Sequence, residues 1–262
     1  MTHERKTAIV TGAAQGVGAS IAERLARDGV KRFALIDRNA AGLDAVAQRL
    51  RDGGAEAQTL VVDLADVDAL ILRVGALAEE LRSIDILINA AGVTDRGGLL
   101  DTSPAVFDRI FAINARGPFF MMQTIAPRMT KRGGVIVNIA SMLAYGGPPF
   151  LIAYSASKAA LVTLTKSAAN TLKRDRIRVF ALNLGWTVTP NEHRVQTGVH
   201  GLPENWAEEI GATKPFGRLL NADDIAGATA FLCSKDALMM TGAIIDLDQF
   251  VMGTVDTSGG SP

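Results

Sequence analysis

Short apolar, β-branched runs recur along the chain and alternate with stretches of helical spacing. The runs are TAIVT (7–11), FALID (33–37), QTLVVD (58–63), DILIN (85–89), GVIVNIA (134–140), IRVFAL (177–182) and GAIID (242–246). Each is too short for a stable helix and largely apolar throughout, which predicts strands covered on both faces. Between them, Ile21, Ala22, Leu25 and Ala26 mark one helical stripe. Leu43, Val46, Ala47 and Leu50 mark a second, and Leu70, Val74, Leu77 and Leu81 a third. Strand and helix in such alternation predict parallel strands joined by right-handed crossovers. The expected architecture is therefore α/β: a single-domain, doubly wound parallel sheet over residues 1–262, with helices on both faces. Residues 186–206 break the rhythm with two prolines, two glycines, two histidines and no clear period. They predict an irregular, substrate-covering insertion, taken to end by residue 212, with a helix resuming near Asn221. The last stretch, GTVDTSGGSP (253–262), reads as a flexible tail.

Composition narrows the function classes. Hydrophobic residues make up 48% and aromatics 5%, so the core must be built mainly from Ala, Val, Ile and Leu. Lys plus Arg equals Asp plus Glu at 27 each, which leaves no electrostatic footprint for nucleic acid or an anionic membrane. One cysteine, Cys233 in GATAFLCS, excludes an internal disulfide and a multi-thiolate metal site, and reads as a small buried hydrophobe. The three histidines show no ligand spacing, so no metal is expected. No apolar signal core follows MTHERK, and no run of about 18 apolar residues occurs. A cytoplasmic location is the corresponding expectation.

The first chemical signal is TGAAQGVG (11–18), which closes a predicted strand and opens a predicted helix. Gly12 permits the tight turn, while Gly16 and Gly18 allow close backbone approach and helix–strand packing. A helix start there presents free N–H groups and a positive dipole end to a pyrophosphate. Turns need glycine for conformational reasons alone, so the context matters. Asp37 ends the second strand 19 residues beyond Gly18, where a dinucleotide fold places an acid on the adenosine ribose.

The second signal is YSASK (154–158). On a helix, residues i and i+4 share a face, so Lys158 sits beside Tyr154. A free phenol has a pKa of about 10, and a neighbouring ammonium is expected to bring it down towards a working range. Ser141 lies at the end of the fifth predicted strand, at the edge where such sheets bind ligands. Each residue also has a bland reading: Ser141 as a strand-end cap, Lys158 as a solvated helix face.

The spacing Gly-x-x-x-Gly-x-Gly, together with NAAG (89–92), Ser141 and YSASK, resembles the short-chain dehydrogenase/reductase family, in consistent order from Thr11 to Asp246. The resemblance implies a seven-stranded sheet in the order 3-2-1-4-5-6-7 and hydride transfer between a secondary alcohol and a nicotinamide. It implies a catalytic tetrad of Asn114, Ser141, Tyr154 and Lys158. Tyr154 is then the general acid/base, Ser141 orients the substrate oxygen, and Asn114 helps hold a water that links the lysine to solvent. Cofactor contacts carried over are Gly12, Gln15, Gly16, Val17, Gly18, Asp37, Arg38, Asp63, Leu64, Asn89, Ala90, Ala91, Gly92, Gly185, Thr187 and Thr189, with Tyr154 and Lys158. NAD is expected over NADP because Asp37 opposes a 2′-phosphate and Gln15 supplies no second cation beside Arg38.

The expected substrate is a small-molecule alcohol or ketone of polyol, sugar or hydroxy-ketone type. Its walls are assigned to Thr94, Leu143, Tyr145, Phe150, Trp186, His193 and Trp206, with Ser141; equally, the two tryptophans simply anchor the insertion. A homotetramer is implied, paired through residues 117–131 and the helix after Tyr154. Two alternatives stand beside this reading. One is an NADPH-dependent 3-oxoacyl-carrier-protein reductase docking through Arg128, Lys131 and Arg132; the other is a non-catalytic dinucleotide-sensing regulator. The chain departs from the family at Leu184, where a proline is usual, and at DLDQF (246–250), where Asp-Gly-Gly is common.

Overall fold

Strand β1 (Thr7–Thr11) is buried at every position and leads through a glycine turn into helix α1 (Gly16–Arg27). The computed structural model describes residues 6–129 and 132–254. The first half continues with β2 (Arg32–Asp37), α2 (Ala40–Asp52), β3 (Glu56–Val61), α3 (Val67–Leu81) and β4 (Ile86–Asn89). Then α4 (Pro104–Phe111) runs through a π-helical turn, Ala112–Arg116, into α5 (Gly117–Ile125). β5 (Gly134–Ile139), α6 (Ile152–Leu172) and β6 (Ile177–Leu184) follow. The last part comprises β7 (Thr187–Val188), α7 (Pro190–Gly198), α8 (Trp206–Ala212), β8 (Leu220–Asn221), α9 (Ala222–Cys233) and β9 (Ile244–Leu247).

Seven strands form one sheet in the order β3-β2-β1-β4-β5-β6-β9, and every pairing in it is parallel. This is the expected order, with β9 in seventh place. Side chains alternate across it as a two-residue period requires. Ala8 and Val10 pack with Ile21, Leu25, Leu43 and Ile225 of α1, α2 and α9. Ile9, between them, packs in the opposite layer with Leu70, Val74, Met121 and Ile125 of α3 and α5. Parallel strands expose all their C-terminal ends along one edge, and that edge is where a doubly wound sheet offers a ligand crevice.

Three predicted boundaries move. The third and seventh strands are Glu56–Val61 and Ile244–Leu247, each displaced by two residues at its start from the apolar runs. The helix expected over 117–131 ends at Ile125 and tightens into a 3₁₀ turn, Ala126–Arg128. Pro127 has no N–H to continue the helical ladder. Residues 130–131 of that expectation lie outside the described residues, as do residues 255–262 of the expected tail.

The largest correction is to 186–206, which is ordered helix and strand rather than irregular chain. Thr189 caps α7 by accepting from the Glu192 N–H, and Pro190 occupies the first helical turn. The helix buries only Gln196, so no apolar stripe announced it. Short β7 and β8 pair with each other, bringing Thr187 opposite Leu220 and closing the excursion between them.

One buried polar contact fixes how β4, β5 and α6 meet. Asn89 and Asn138 are register partners, and the Asn89 Nδ2 donates to Asn138 Oδ1 at 2.8 Å. Asn138 Nδ2 in turn donates to Thr165 Oγ1 at 2.9 Å. Asn138→Ala leaves the buried Asn89 donor without its acceptor, a loss of about 1–3 kcal/mol. The urea midpoint should fall accordingly with an unchanged denaturant slope; a midpoint equal to wild type would show that the contact contributes nothing.

Candidate active site

The glycine turn between β1 and α1 is shaped by contacts that no side chain could replace. Gly12 has φ of +66°, and a Cβ there would lie 2.7 Å from the Ala91 backbone. A Cβ on Gly18 would overlap the Gly12 carbonyl oxygen. Gly16, also at positive φ, faces the Thr189 side chain, whose Cβ lies 3.6 Å from where a Gly16 Cβ would be. Thr189 is thereby brought from α7 onto the fingerprint. Side chains cap α2, α3, α4, α7 and α9, whereas α1 has neither a side-chain cap nor an acid in its first turn. Its exposed N–H groups and positive dipole end suit a phosphate.

Around this turn the expected dinucleotide contacts gather at the strand ends. Asp37 ends β2, where its carboxylate accepts from the Ala14 N–H at 3.2 Å and the Asn39 N–H at 3.0 Å; Arg38 beside it is exposed. Asp63 is exposed and accepts from the Ala65 N–H, while Leu64 is buried and presses on Gly117. The Ala90 and Ala91 N–H groups both donate to Thr11 Oγ1, so NAAG is pinned to the end of β1. Asn89 keeps a buried Oδ1 without a partner. At the far side, a Cβ on Gly185 would overlap the Asp248 carboxylate, and Thr187 Oγ1 donates to the Gly185 carbonyl. Exposed Gln15 and half-buried Val17 flank the glycines, and Gly92 lies against Asn114 and Lys158. The cradle, the uncapped helix and the orphaned acceptor fit a dinucleotide.

The tetrad residues converge from three elements. Lys158 is only 4% exposed and donates from Nζ to the Ile139 carbonyl at 2.8 Å; its Nζ lies 5.8 Å from the Tyr154 ring centre. Asn114 is fully buried in the π-helical turn, a distortion common at functional sites. Its Oδ1 accepts from the Val93 N–H, and its Nδ2 donates to the Val93 carbonyl and to Ser157 Oγ. Ser141 Oγ accepts from the Leu143 N–H at 3.2 Å, so the bland capping role exists, but the hydroxyl is also near enough to Tyr154 to act on its phenol.

Electrostatics correct one expectation. Burial pushes the Tyr154 phenol above its ordinary pKa, the Ser141 hydrogen bond opposes that rise, and the Glu192 charge adds to it. Lys158 does not outweigh burial, and burial draws its own pKa down to about 8.

The expected substrate wall divides. Thr94 is exposed and Leu143 half-buried. Tyr145 is exposed, but its hydroxyl donates to the Asp246 carboxylate at 3.1 Å. Phe150 lies under the Arg96 guanidinium at 4.8 Å. Trp206 is 1% exposed and so cannot line an open wall; it anchors the insertion, stacked 5.6 Å from the half-exposed Trp186. His193 also turns to structural partners, meeting Glu204 through Nε2 and accepting from Trp206 Nε1 through Nδ1. Sequence reasoning missed its neighbour Glu192, which receives the Trp186 and Gln196 side-chain donors; an isolated acid in an apparently aperiodic stretch gave no signal. The DLDQF departure also finds a role, because Gln249 bonds both the Phe216 N–H and the Arg218 carbonyl. Cys233 is buried, with its thiol pushed up to about 12 by burial. Among the described residues no cluster of His, Cys, Asp and Glu could hold a metal, and no helix is long and apolar enough to cross a membrane.

The depressed Lys158 pKa sets a pH dependence of stability. Its folded pKa lies below the ordinary 10.5, so between about 8 and 10.5 the unfolded chain binds more protons and stability rises with pH. Below that window the buried charge opposes folding by roughly 3 kcal/mol. Lys158→Met should therefore be the more stable protein at pH 7, with the advantage shrinking towards pH 10. Parallel wild-type and variant curves in denaturant titrations across this range would contradict the assignment.

The family model described as enoyl-(acyl carrier protein) reductase matches residues 12–249. Sorbitol dehydrogenase from Cereibacter sphaeroides is 34% identical, covering 100% of this chain and 99% of its own. Galactitol 2-dehydrogenase from Agrobacterium fabrum is 34% identical over 90% of this chain and 93% of its own. Among solved structures, NAD⁺-bound xylitol dehydrogenase superposes with a TM-score of 0.85 at 31% identity, covering 94% of this chain and 99% of that one. With the parallel sheet, the glycine cradle and the Ser–Tyr–Lys arrangement, this chain belongs to the short-chain dehydrogenase/reductase family.

Proposed function

We propose that the protein is an NAD-dependent dehydrogenase of small polyols or sugars, interconverting a secondary alcohol and a ketone. The observation that carries the reading is the convergence of Ser141, Tyr154 and Lys158 with an uncapped, glycine-cradled helix start at one edge of a parallel sheet. In the oxidative direction the Tyr154 phenolate takes the hydroxyl proton, and in reduction the phenol returns it. Ser141 orients the substrate oxygen through the hydroxyl that it shares with Tyr154. Lys158, held by the Ile139 carbonyl, supplies a positive charge beside the phenol and a donor for the nicotinamide ribose. Asn114 holds the 93–114 contact rigid and so keeps the floor beneath Gly92 and Lys158 in place. When bound, the nicotinamide carries the hydride, and its oxidised form adds a positive charge that favours the phenolate. The polyol and sugar-alcohol relatives support this substrate class.

The same reading makes the protein a cytoplasmic homotetramer, paired through residues 117–131 and α6. Exposed Phe119 in the former supports the pairing, because an apolar surface of that kind calls for a cover. The acyl-carrier alternative loses support at one residue of its patch, because Arg128 is ion-paired with Glu79, while Arg132 is exposed.

Tyr154→Phe keeps the ring and loses the proton carrier, so turnover should fall ~10²–10⁴-fold while NAD binding, read by fluorescence titration, persists. Near-normal turnover would overturn the mechanism.

Asp37 should also make NAD the preferred cofactor. At about 4 Å and an effective dielectric near 20, one like-charge pair opposes a 2′-phosphate by up to ~4 kcal/mol before screening. A kcat/KM preference of about 30-fold or more is the expected remainder, with Arg38 as the counterweight. Parity or an NADP preference would refute it, and Asp37→Ser should shift the ratio towards NADP.

A further inference from the structure

Glu192 stands in the first turn of α7, and that turn lies over the site because Thr189, its cap, rests against Gly16. Its carboxylate is held by two neutral donors, Trp186 Nε1 at 2.8 Å and Gln196 Nε2 at 2.7 Å. Both reach the same oxygen, Oε1, so among the described residues Oε2 has no donor. A carboxylate offers about four lone-pair sites, and only two of these are used.

No cation neutralises this acid. Among the described residues Glu192 makes no ion pair, and the adjacent His193 is committed to Glu204 and Trp206. Lys158 is committed to the Ile139 carbonyl. The negative charge nevertheless reaches the site, since it is one of the influences acting on the Tyr154 phenol. Two indole and amide donors, rather than an arginine or lysine, thus fix an uncompensated carboxylate within electrostatic range of the reacting oxygen.

A latch for the insertion would not need a charge. An amide oxygen would accept from Trp186 and Gln196 equally well. What the charge adds is a strong acceptor for hydroxyl groups and repulsion of anions.

We propose that Glu192 is the specificity-determining residue of the site: its free oxygen accepts hydrogen bonds from the non-reacting hydroxyls of a neutral polyol or sugar, and its charge turns away sugar acids. This deepens the polyol reading and rests on it. Tyr154 remains the proton carrier, and Glu192 acts on which substrate reaches it.

The test compares purified wild type and Glu192→Gln with NAD and three substrates: sorbitol, galactitol and gluconate. Glutamine preserves the shape and, through its Oε1, both donor contacts, while the charge is removed and the free acceptor becomes an N–H donor. The ratio of kcat/KM for gluconate to that for the better polyol should rise about tenfold or more, the scale of one screened like-charge contact. The polyol kcat/KM should fall as an acceptor weakens. In the same variant the acid limb of the polyol pH profile should move to lower pH, because one charge that raises the Tyr154 pKa is gone. A purely structural latch would leave the substrate ratio unmoved, and an unchanged ratio, whatever the limb does, would overturn the proposal while leaving the polyol reading intact. If wild type oxidises gluconate and neither polyol, the substrate reading itself fails, and the proposal fails with it.

Discussion

The contact on which the site depends is the one between α1 and the end of β1. Gly18 lies so close to the Gly12 carbonyl that no side chain could stand between them, and Gly12 is equally close to the backbone of Ala91. This steric requirement seats the helix start directly on the ends of β1 and β4. Its dipole and its unpartnered N–H groups therefore point along the edge where the sheet's C-terminal ends lie. Had any of these glycines carried a Cβ, the backbone would have to separate, and Thr189 would lose its seat against Gly16.

The chemistry places an unfavourable demand on that frame. Lys158 is buried beside a phenol whose own ionisation is opposed by burial, and neither group has a buried counter-ion in contact. Neutral groups substitute: the Ile139 carbonyl accepts from the lysine, and the Ser141 hydroxyl acts on the tyrosine. Such an arrangement is tolerable because β4, β5 and α6 are locked by the Asn89–Asn138–Thr165 chain, which lets a stable layer carry a poorly stable pair. Sites that must change protonation state are commonly built this way.

How much of this could be read from the chain varies with the kind of signal. The inner strands were legible because they are buried on both faces, so hydrophobicity marked them, whereas the more exposed edge strands β3 and β9 are the ones whose starts moved; the glycine turn was legible because Gly12 and Gly18 are sterically irreplaceable. α7 was not legible, since a helix that buries little but Gln196 has no apolar period to detect. For Trp206 the structure favours the anchoring alternative over the ligand wall, since aromatic residues of an insertion here satisfy one another, the indole N–H on the His193 imidazole. The lowered phenol pKa was expected from the lysine and the oxidised nicotinamide together, and the i,i+4 spacing carries no information about the desolvation that raises it in the protein alone.

The two-residue ladder between β7 and β8 has a consequence for how the molecule comes apart. It ties the ends of the α7–α8 excursion to each other rather than to the seven-stranded sheet. Opening that excursion breaks two rungs and the Gln249 contacts to Phe216 and Arg218 and exposes Trp206, while the sheet keeps every one of its own pairings. The fold therefore contains two cooperative units of unequal strength, a durable platform and a weaker flap whose local unfolding need not involve global unfolding. Amide hydrogens of α7 and α8 belong to the flap, so exchange with solvent would separate them from the strands beneath.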